Sequence, residues 1–75
     1  MKKENQEFEK EIKRVSTFWP VGKNQRGKKI DDLPNWYLKW VAENFKEDTL
    51  FSKALCIAAD RELQIRLKYD IIVEE

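Results

Sequence analysis

The residues best suited to chemistry lie in and beside the segment between the two glycines of the chain, Gly22 and Gly27. With Lys28 and Lys29 following, the spacing nearly matches a phosphate-binding loop of the form Gly-x4-Gly-Lys-Ser/Thr. That chemistry needs a hydroxyl after the lysine to hold magnesium, and a helix N-terminus to receive the phosphates. Lys29 replaces the hydroxyl and no long helix is expected behind it, so nucleotide hydrolysis is not predicted.

A second interpretation of the same segment is a basic loop that contacts phosphate. Its cationic residues fall within seven positions, at Lys23, Arg26, Lys28 and Lys29. Such side chains, together with the N–H groups of a glycine turn, bind phosphates without reading sequence. Trp19, just upstream, is predicted to stack on a base. The alternative is that the lysines only keep the turn soluble and that the aromatic residue belongs to the core.

Little outside this loop points to catalysis. Histidine, the commonest general base and zinc ligand, is absent. Glu62 falls on the apolar face of a predicted helix, where its carboxylate needs a lysine or a backbone N–H as partner. Cys56 is predicted to be an inert small hydrophobe, and the adjacent Asp31 and Asp32 suit a helix start better than a metal. We therefore expect a non-enzymatic protein without metal or cofactor.

Length and charge narrow the class of protein. The 75 residues allow one domain with one small core. Fifteen basic residues against 14 acidic ones give a net charge of +1, so total charge does not indicate nucleic-acid binding and only a local patch can. The single cysteine cannot form an internal disulfide. No signal peptide or membrane span is expected, which favours a cytoplasmic protein.

The elements expected to position the loop form a small α+β domain covering residues 1–75. Residues 2–15 carry apolar side chains at helical spacing and predict an N-terminal helix. The β-forming segments 17–21 and 28–30 flank the loop and predict a short β-hairpin. Pro20 restricts the first of these segments to the edge of a sheet.

Two further helices are predicted after the hairpin. Residues 33–45 carry apolar and aromatic side chains at helical spacing, and residues 50–69 predict the longest helix, capped by Asp48 or Thr49. Ile71–Val73 is either a terminal strand or a tail docked on the hairpin. The expected core brings together side chains from the hairpin and both helices, namely Val21, Ile30, Trp36, Trp40 and Phe51.

One flank of the longest helix offers more apolar surface than a small core absorbs, at Cys56, Ala59, Leu63 and Leu67. We expect either the N-terminal helix or a second copy of the chain to cover it, which makes a homodimer one of the expected assemblies. If the chain is a protein-interaction module, its expected contact residues are Phe8, Ile12, Leu63 and Leu67.

Several segments of the chain resemble a known family. The segments are Pro20-Val21-Gly22-Lys23, Arg26-Gly27-Lys28-Lys29-Ile30, Asp32-Leu33-Pro34 and Tyr37-Leu38-x-Trp40. They are similar to the pattern Pro-Phe-Gly-Lys-Tyr-Lys-Gly-Lys…Leu-Pro-x-x-Tyr-Leu-x-Trp of small phage and bacterial proteins called quorum-sensing-regulated virulence factors, and of the C-terminal domain of exonuclease X-like proteins. The similarity covers residues 17–69. Val21 replaces the usual phenylalanine, the loop is one residue longer, and the helical arm of residues 1–15 is an addition.

The resemblance implies a function as well as a relationship. Because the family domain is attached to DNA exonucleases, it implies an accessory nucleic-acid-binding role, with DNA favoured over RNA as partner. The alternative is a phage-type protein-interaction module that binds and modulates a host or viral enzyme through its helices. Neither function requires a membrane.

Overall fold

Three α-helices and one short 3-10 turn make up the regular structure. The computed structural model describes residues 2–46 and 48–74, with side chains from Glu7 onward, so Met1, Glu47 and Glu75 of the predicted domain lie outside the described residues. The helices are α1 (Lys2–Thr17), α2 (Asn35–Asn44) and α3 (Leu50–Tyr69), and the 3-10 turn (Ile30–Asp32) precedes α2.

The predicted α+β fold is wrong, because residues 2–46 and 48–74 contain no β-strand. The chain does reverse where the hairpin was expected. The Trp19 N–H donates to the Lys28 carbonyl at 2.9 Å, and the Gly27 N–H donates to the Trp19 carbonyl at 2.8 Å. The pairing does not extend into a ladder, since Pro20 has no N–H to donate and Ile30 already begins the 3-10 turn.

The three helices lie close to their predicted positions. Thr49 caps α3, as one of the two predicted caps, by accepting a hydrogen bond from the Ser52 N–H at 3.1 Å. Asp70 ends α3 in the left-handed conformation, with φ 56°. Pro34 stands at the cap position of α2, where its missing N–H leaves no donor unpaired.

The predicted core is only partly correct. Ile30 is buried and Val21 is half-buried, but Trp36 and Trp40 are 57% and 48% exposed and Phe51 is also exposed. The buried face of α2 consists instead of Tyr37, Leu38 and Val41. At about 100° per residue, Trp36 and Trp40 point away from the centre of that face, although Tyr37 at its margin contacts both rings.

Trp19 takes the central aromatic place in the core. Its side chain is 0% exposed, and its Nε1 donates to the Tyr37 hydroxyl at 2.9 Å. The two rings meet edge to face, with centroids 6.1 Å apart. A buried indole N–H needs such a partner. This hydrogen bond therefore holds Trp19 in place just before the lysine-rich segment between and after the two glycines.

Arg66 crosses the interior from α3. The residue is only 2% exposed. Its guanidinium donates to four acceptors: the Glu62 carboxylate (3.1 Å), the Asn35 amide oxygen (2.8 Å) and the carbonyls of Ile30 (3.0 Å) and Asp31 (3.2 Å). Glu62 thus has a structural partner as expected, although that partner is an arginine and not a lysine or a backbone N–H.

The C-terminal tail docks on the start of α2, so neither predicted arrangement of Ile71–Val73 occurs. The Asn35 N–H donates to the Val73 carbonyl at 2.9 Å. The Val73 N–H donates in return to the Asn35 amide oxygen, also at 2.9 Å. Asn35 therefore joins the tail to Arg66 through one side chain.

The N-terminal helix is part of the core. Ile12 and Val15 are buried, and α1 packs on α3. Arg61 of α3 donates to both carboxylate oxygens of Glu9 at 3.0 Å, and this hydrogen-bonded pairing lowers the pKa of Glu9 below its usual value. The flank at Cys56 faces α2, because the Cys56 thiol lies 3.2 Å from the Phe45 carbonyl.

Tryptophan substitutions test which aromatic residues form the core. Trp19→Ala should destabilise the fold by about 3–5 kcal/mol, because it empties a fully buried site. Trp40→Ala should cost only about 1 kcal/mol, mostly from lost ring contacts. Urea unfolding followed by circular dichroism measures both, and equal losses would contradict this assignment of the core.

Arginine substitutions test the buried hydrogen bonds. Arg66→Met should destabilise the fold by about 3–5 kcal/mol, because the Glu62 carboxylate loses its partner in the interior. The matched control is Arg61→Met, which removes the exposed ion pair with Glu9 and should cost less than about 1 kcal/mol. Thermal unfolding of the two variants side by side gives the comparison, and a milder effect of Arg66→Met would refute the role of this side chain.

Candidate nucleic-acid interface

The basic loop, defined as residues 22–29, is closed at its base and turns on two glycines. Besides the two bonds to Trp19, the Lys28 N–H donates to the Gln25 carbonyl at 3.2 Å. Gly22 and Gly27 have φ values of 96° and 88°, which favour glycine and agree with the predicted tight reversal. The loop is therefore a defined turn anchored on the core.

The predicted cationic residues all lie exposed on this loop, at Lys23, Arg26, Lys28 and Lys29. In the described part of the chain, the ion pairs are Glu11–Arg14, Glu9–Arg61 and Glu62–Arg66, so none of them uses a loop cation. Asp31 and Asp32, which follow the loop, are also exposed and reduce its local positive charge.

Trp19 does not have the predicted base-stacking role in this structure. Its ring is fully buried against Tyr37, so a base could reach it only if the core opened. Phe18, its neighbour in sequence, is exposed and lies near Gly27, at the C-terminal end of the loop. An added Cβ at Gly27 would stand 3.8 Å from the Phe18 ring.

The exposed tryptophans of α2 are the functional candidates that the sequence interpretation placed in the core. They belong to an aromatic row, defined as Trp36, Tyr37, Trp40 and Phe45. Trp36 meets Tyr37 edge to face at 5.8 Å between centroids, and Tyr37 stacks on Trp40 at 6.1 Å. Phe45 and Trp40 also meet edge to face, with centroids 5.7 Å apart. The signal that could have exposed the error is that apolar side chains surround α2 on more sides than one small core can bury.

Tyr37 brings the aromatic row and the basic loop together. Its hydroxyl accepts the Trp19 indole N–H, and a Cβ built on Gly22 would lie 2.9 Å from the same oxygen. Gly22 therefore lies beside the hydroxyl end of the residue whose ring stacks on Trp40. One buried tyrosine thus links the start of the basic loop to the exposed tryptophans.

The residues predicted to bind a protein partner do not form one exposed surface. Ile12 is buried, while Phe8 and Leu63 are half-buried against the core. Leu67 is 82% exposed, and together with Leu63 it lines a cavity of about 470 Å³ beside the C-terminal tail. Of the four predicted partner residues, only Leu67 is therefore largely exposed.

Metal binding and membrane insertion find no support among the described residues. They contain no group of three or more Cys, Asp or Glu side chains placed to hold a metal ion. In the same part of the chain, no helix combines the length and the apolar character needed to cross a bilayer.

Glycine substitutions test the geometry of the loop. Both Gly22→Ala and Gly27→Ala should destabilise the fold by about 1–3 kcal/mol, because alanine is strained at these positive φ values. Gly22→Ala should cost more, since its Cβ would lie 2.7 Å from the Gln25 amide oxygen, whereas the Gly27 Cβ meets only ordinary contacts. Urea titrations rank the two variants, and a larger loss for Gly27→Ala would contradict the geometry.

The candidate site thus consists of a basic loop and of an aromatic row with two exposed tryptophans. No protein-family model, curated protein or solved structure matches the chain.

Proposed function

We propose that the chain is a non-enzymatic accessory module that binds the phosphate backbone of nucleic acid through the basic loop. The observation that carries this proposal is the concentration of cations on that loop. Lys23, Arg26, Lys28 and Lys29 are exposed on one short turn and are not neutralised by the ion pairs described above. Phosphate is the ligand that such a turn suits best.

The anchoring of the loop supports the proposed binding, in addition to the charge of the loop. Two backbone hydrogen bonds to Trp19 and the packing of Gly22 on Tyr37 hold the turn before any ligand arrives. A preorganised loop loses less conformational entropy on binding than a mobile one. No helix presents a row of base-reading side chains beside it, so we expect weak sequence preference.

The family resemblance supports the choice of partner. The loop and the start of α2 carry the segments that resemble the quorum-sensing-regulated virulence factors and the exonuclease X-like C-terminal domain, which favours DNA over RNA. In this proposal the protein works in the cytoplasm, where its single cysteine stays reduced. The phosphate contacts serve to hold nucleic acid for another protein, because the loop offers binding groups and no catalytic set.

Salt dependence is the direct test of backbone binding. Labelled DNA and RNA oligonucleotides, single-stranded and duplex, should bind with a log–log salt slope of roughly −2 to −3, because about three phosphates are neutralised. The triple variant Arg26→Gln, Lys28→Gln, Lys29→Gln should lose that slope. Its melting temperature should stay near that of the parent, since the three side chains are solvated.

A charge-matched control separates the loop from general electrostatics. The triple variant Lys10→Gln, Lys13→Gln, Lys46→Gln removes the same charge from exposed sites elsewhere and should keep the salt slope. Equal losses in the two triple variants would refute a specific role for the loop. Failure of every oligonucleotide to bind below about millimolar would refute the proposal as a whole, because even non-specific binding is usually tighter.

A protein-interaction module is the second candidate, and one observation favours it. Leu67 is 82% exposed at the rim of the 470 Å³ cavity, which Leu63 and the tail residues Ile71 and Ile72 also line. Exposed apolar side chains around a cavity are typical of protein contacts. A second copy of the chain or a host or viral enzyme would then be the partner. The loop variants would leave such binding unchanged.

A further inference from the structure

We infer that the nucleic acid bound by this chain is single-stranded, and that its unpaired bases stack on Trp36 and Trp40. This inference rests on the proposed function and names its substrate class. A base in a duplex has both faces covered by its neighbours, so exposed indole rings are useful only for bases that are free.

The exposure of the two tryptophans carries the inference. Trp36 is 57% exposed and Trp40 is 48% exposed, although each is large enough to anchor a small core. They lie four residues apart on one side of α2, about 6 Å along the helix axis. That separation exceeds the spacing of about 3.4 Å between stacked bases along one strand of a duplex. The pair therefore suits a strand whose bases are splayed apart.

The rings are held in place before ligand binding. Tyr37 contacts the rings of both tryptophans, and Phe45 meets the Trp40 ring at a steep angle, with centroids 5.7 Å apart. The Asn44 side chain donates to the Trp40 carbonyl at 2.8 Å, which fixes the last turn of α2. Preorganised aromatic rings provide contact area at a low entropic cost.

Charge complementarity identifies the occupant of this surface. A single strand presents phosphates on one side and bases on the other, and the chain offers cations on the basic loop and aromatic rings on α2. Gly22, which begins the loop, lies beside the buried Tyr37 hydroxyl, and the ring of Tyr37 contacts both tryptophans, so one residue links the two parts. Lys39, between the two tryptophans in sequence, adds a further exposed cation. An apolar protein partner would have no need of this combination.

Substitution of Glu43 distinguishes nucleic acid from a protein partner on this surface. It is exposed one turn after Trp40, on the same side of α2, so its carboxylate repels a phosphate backbone. Glu43→Gln should strengthen binding of nucleic acid by about 2-fold, in the range of a weak exposed charge pair. The same change should weaken the binding of a cationic protein partner and leave the binding of an apolar one unchanged.

The experiment compares one strand with its duplex at low salt. The probe is a labelled oligothymidine of about ten nucleotides, within the range of known single-strand sites, alone or annealed to oligoadenosine. The parent protein should bind the single strand about 10-fold more tightly than the duplex. Trp36→Leu and Trp40→Leu should each lose about 10-fold for the single strand and change duplex binding little, because leucine keeps an apolar side chain but cannot stack.

Two controls keep the result interpretable. Leu67→Ala removes an exposed apolar side chain of α3 that belongs to neither the basic loop nor the aromatic row, and it should leave both affinities unchanged. Circular dichroism melting of each variant should stay close to that of the parent, and Trp36→Leu, which removes the more exposed ring, serves if Trp40→Leu unfolds.

The possible outcomes separate this inference from the proposed function. Equal binding of single strand and duplex, with no effect of Trp36→Leu, would overturn the inference while leaving a loop-dependent backbone binder. Absence of any binding would overturn both. Preferential single-strand binding that is lost in the tryptophan variants and kept in Leu67→Ala would establish the stacking surface.

Discussion

The buried guanidinium of Arg66 is the interaction on which the rest of the structure depends. It satisfies carbonyl groups of Ile30 and Asp31, which have no strand to pair with, and it holds Asn35 at the start of α2. Arginine suits this task because its planar fork carries five donors and stays charged. Since the 3-10 turn is where the basic loop rejoins the core, one side chain of α3 fixes both the end of the loop and the beginning of the aromatic helix.

A second contact, between Trp19 and Tyr37, couples the two halves of the candidate interface. Trp19 closes the base of the loop through its backbone and supports α2 through its indole N–H. Tyr37 in turn supports the exposed rings of Trp36 and Trp40. A disturbance at this buried pair would therefore displace cations and aromatic rings together, although neither residue itself faces a ligand.

The sequence predicted the helices and the loop better than it predicted the fold class. Helical spacing located α1, α2 and α3, and the glycines located the reversal. The predicted hairpin is wrong because tertiary contacts override β-propensity in short segments. Here those contacts are the burial of Trp19 and the 3-10 turn at Ile30. The cationic half of the candidate site was predictable from the clustering of lysine and arginine beside the two glycines.

The aromatic half of the site was not predictable, for a physical reason. Periodicity shows that apolar residues surround α2, but which of them meet the core depends on what else competes for a limited interior. Trp19, contributed by a segment outside the helices, fills the place that Trp36 and Trp40 were expected to take. The role of Arg66 was hidden likewise, since three of its four acceptors lie 31 to 36 residues away along the chain.

The docking of the tail on Asn35 has a consequence for any domain that is fused to the chain after the tail. Val73 is held beside the residue that directly precedes Trp36, so any polypeptide continuing from the tail would leave the module next to the aromatic row. If the proposed single-strand binding holds, a short tether at that point would give an attached enzyme a high effective concentration of the bound strand.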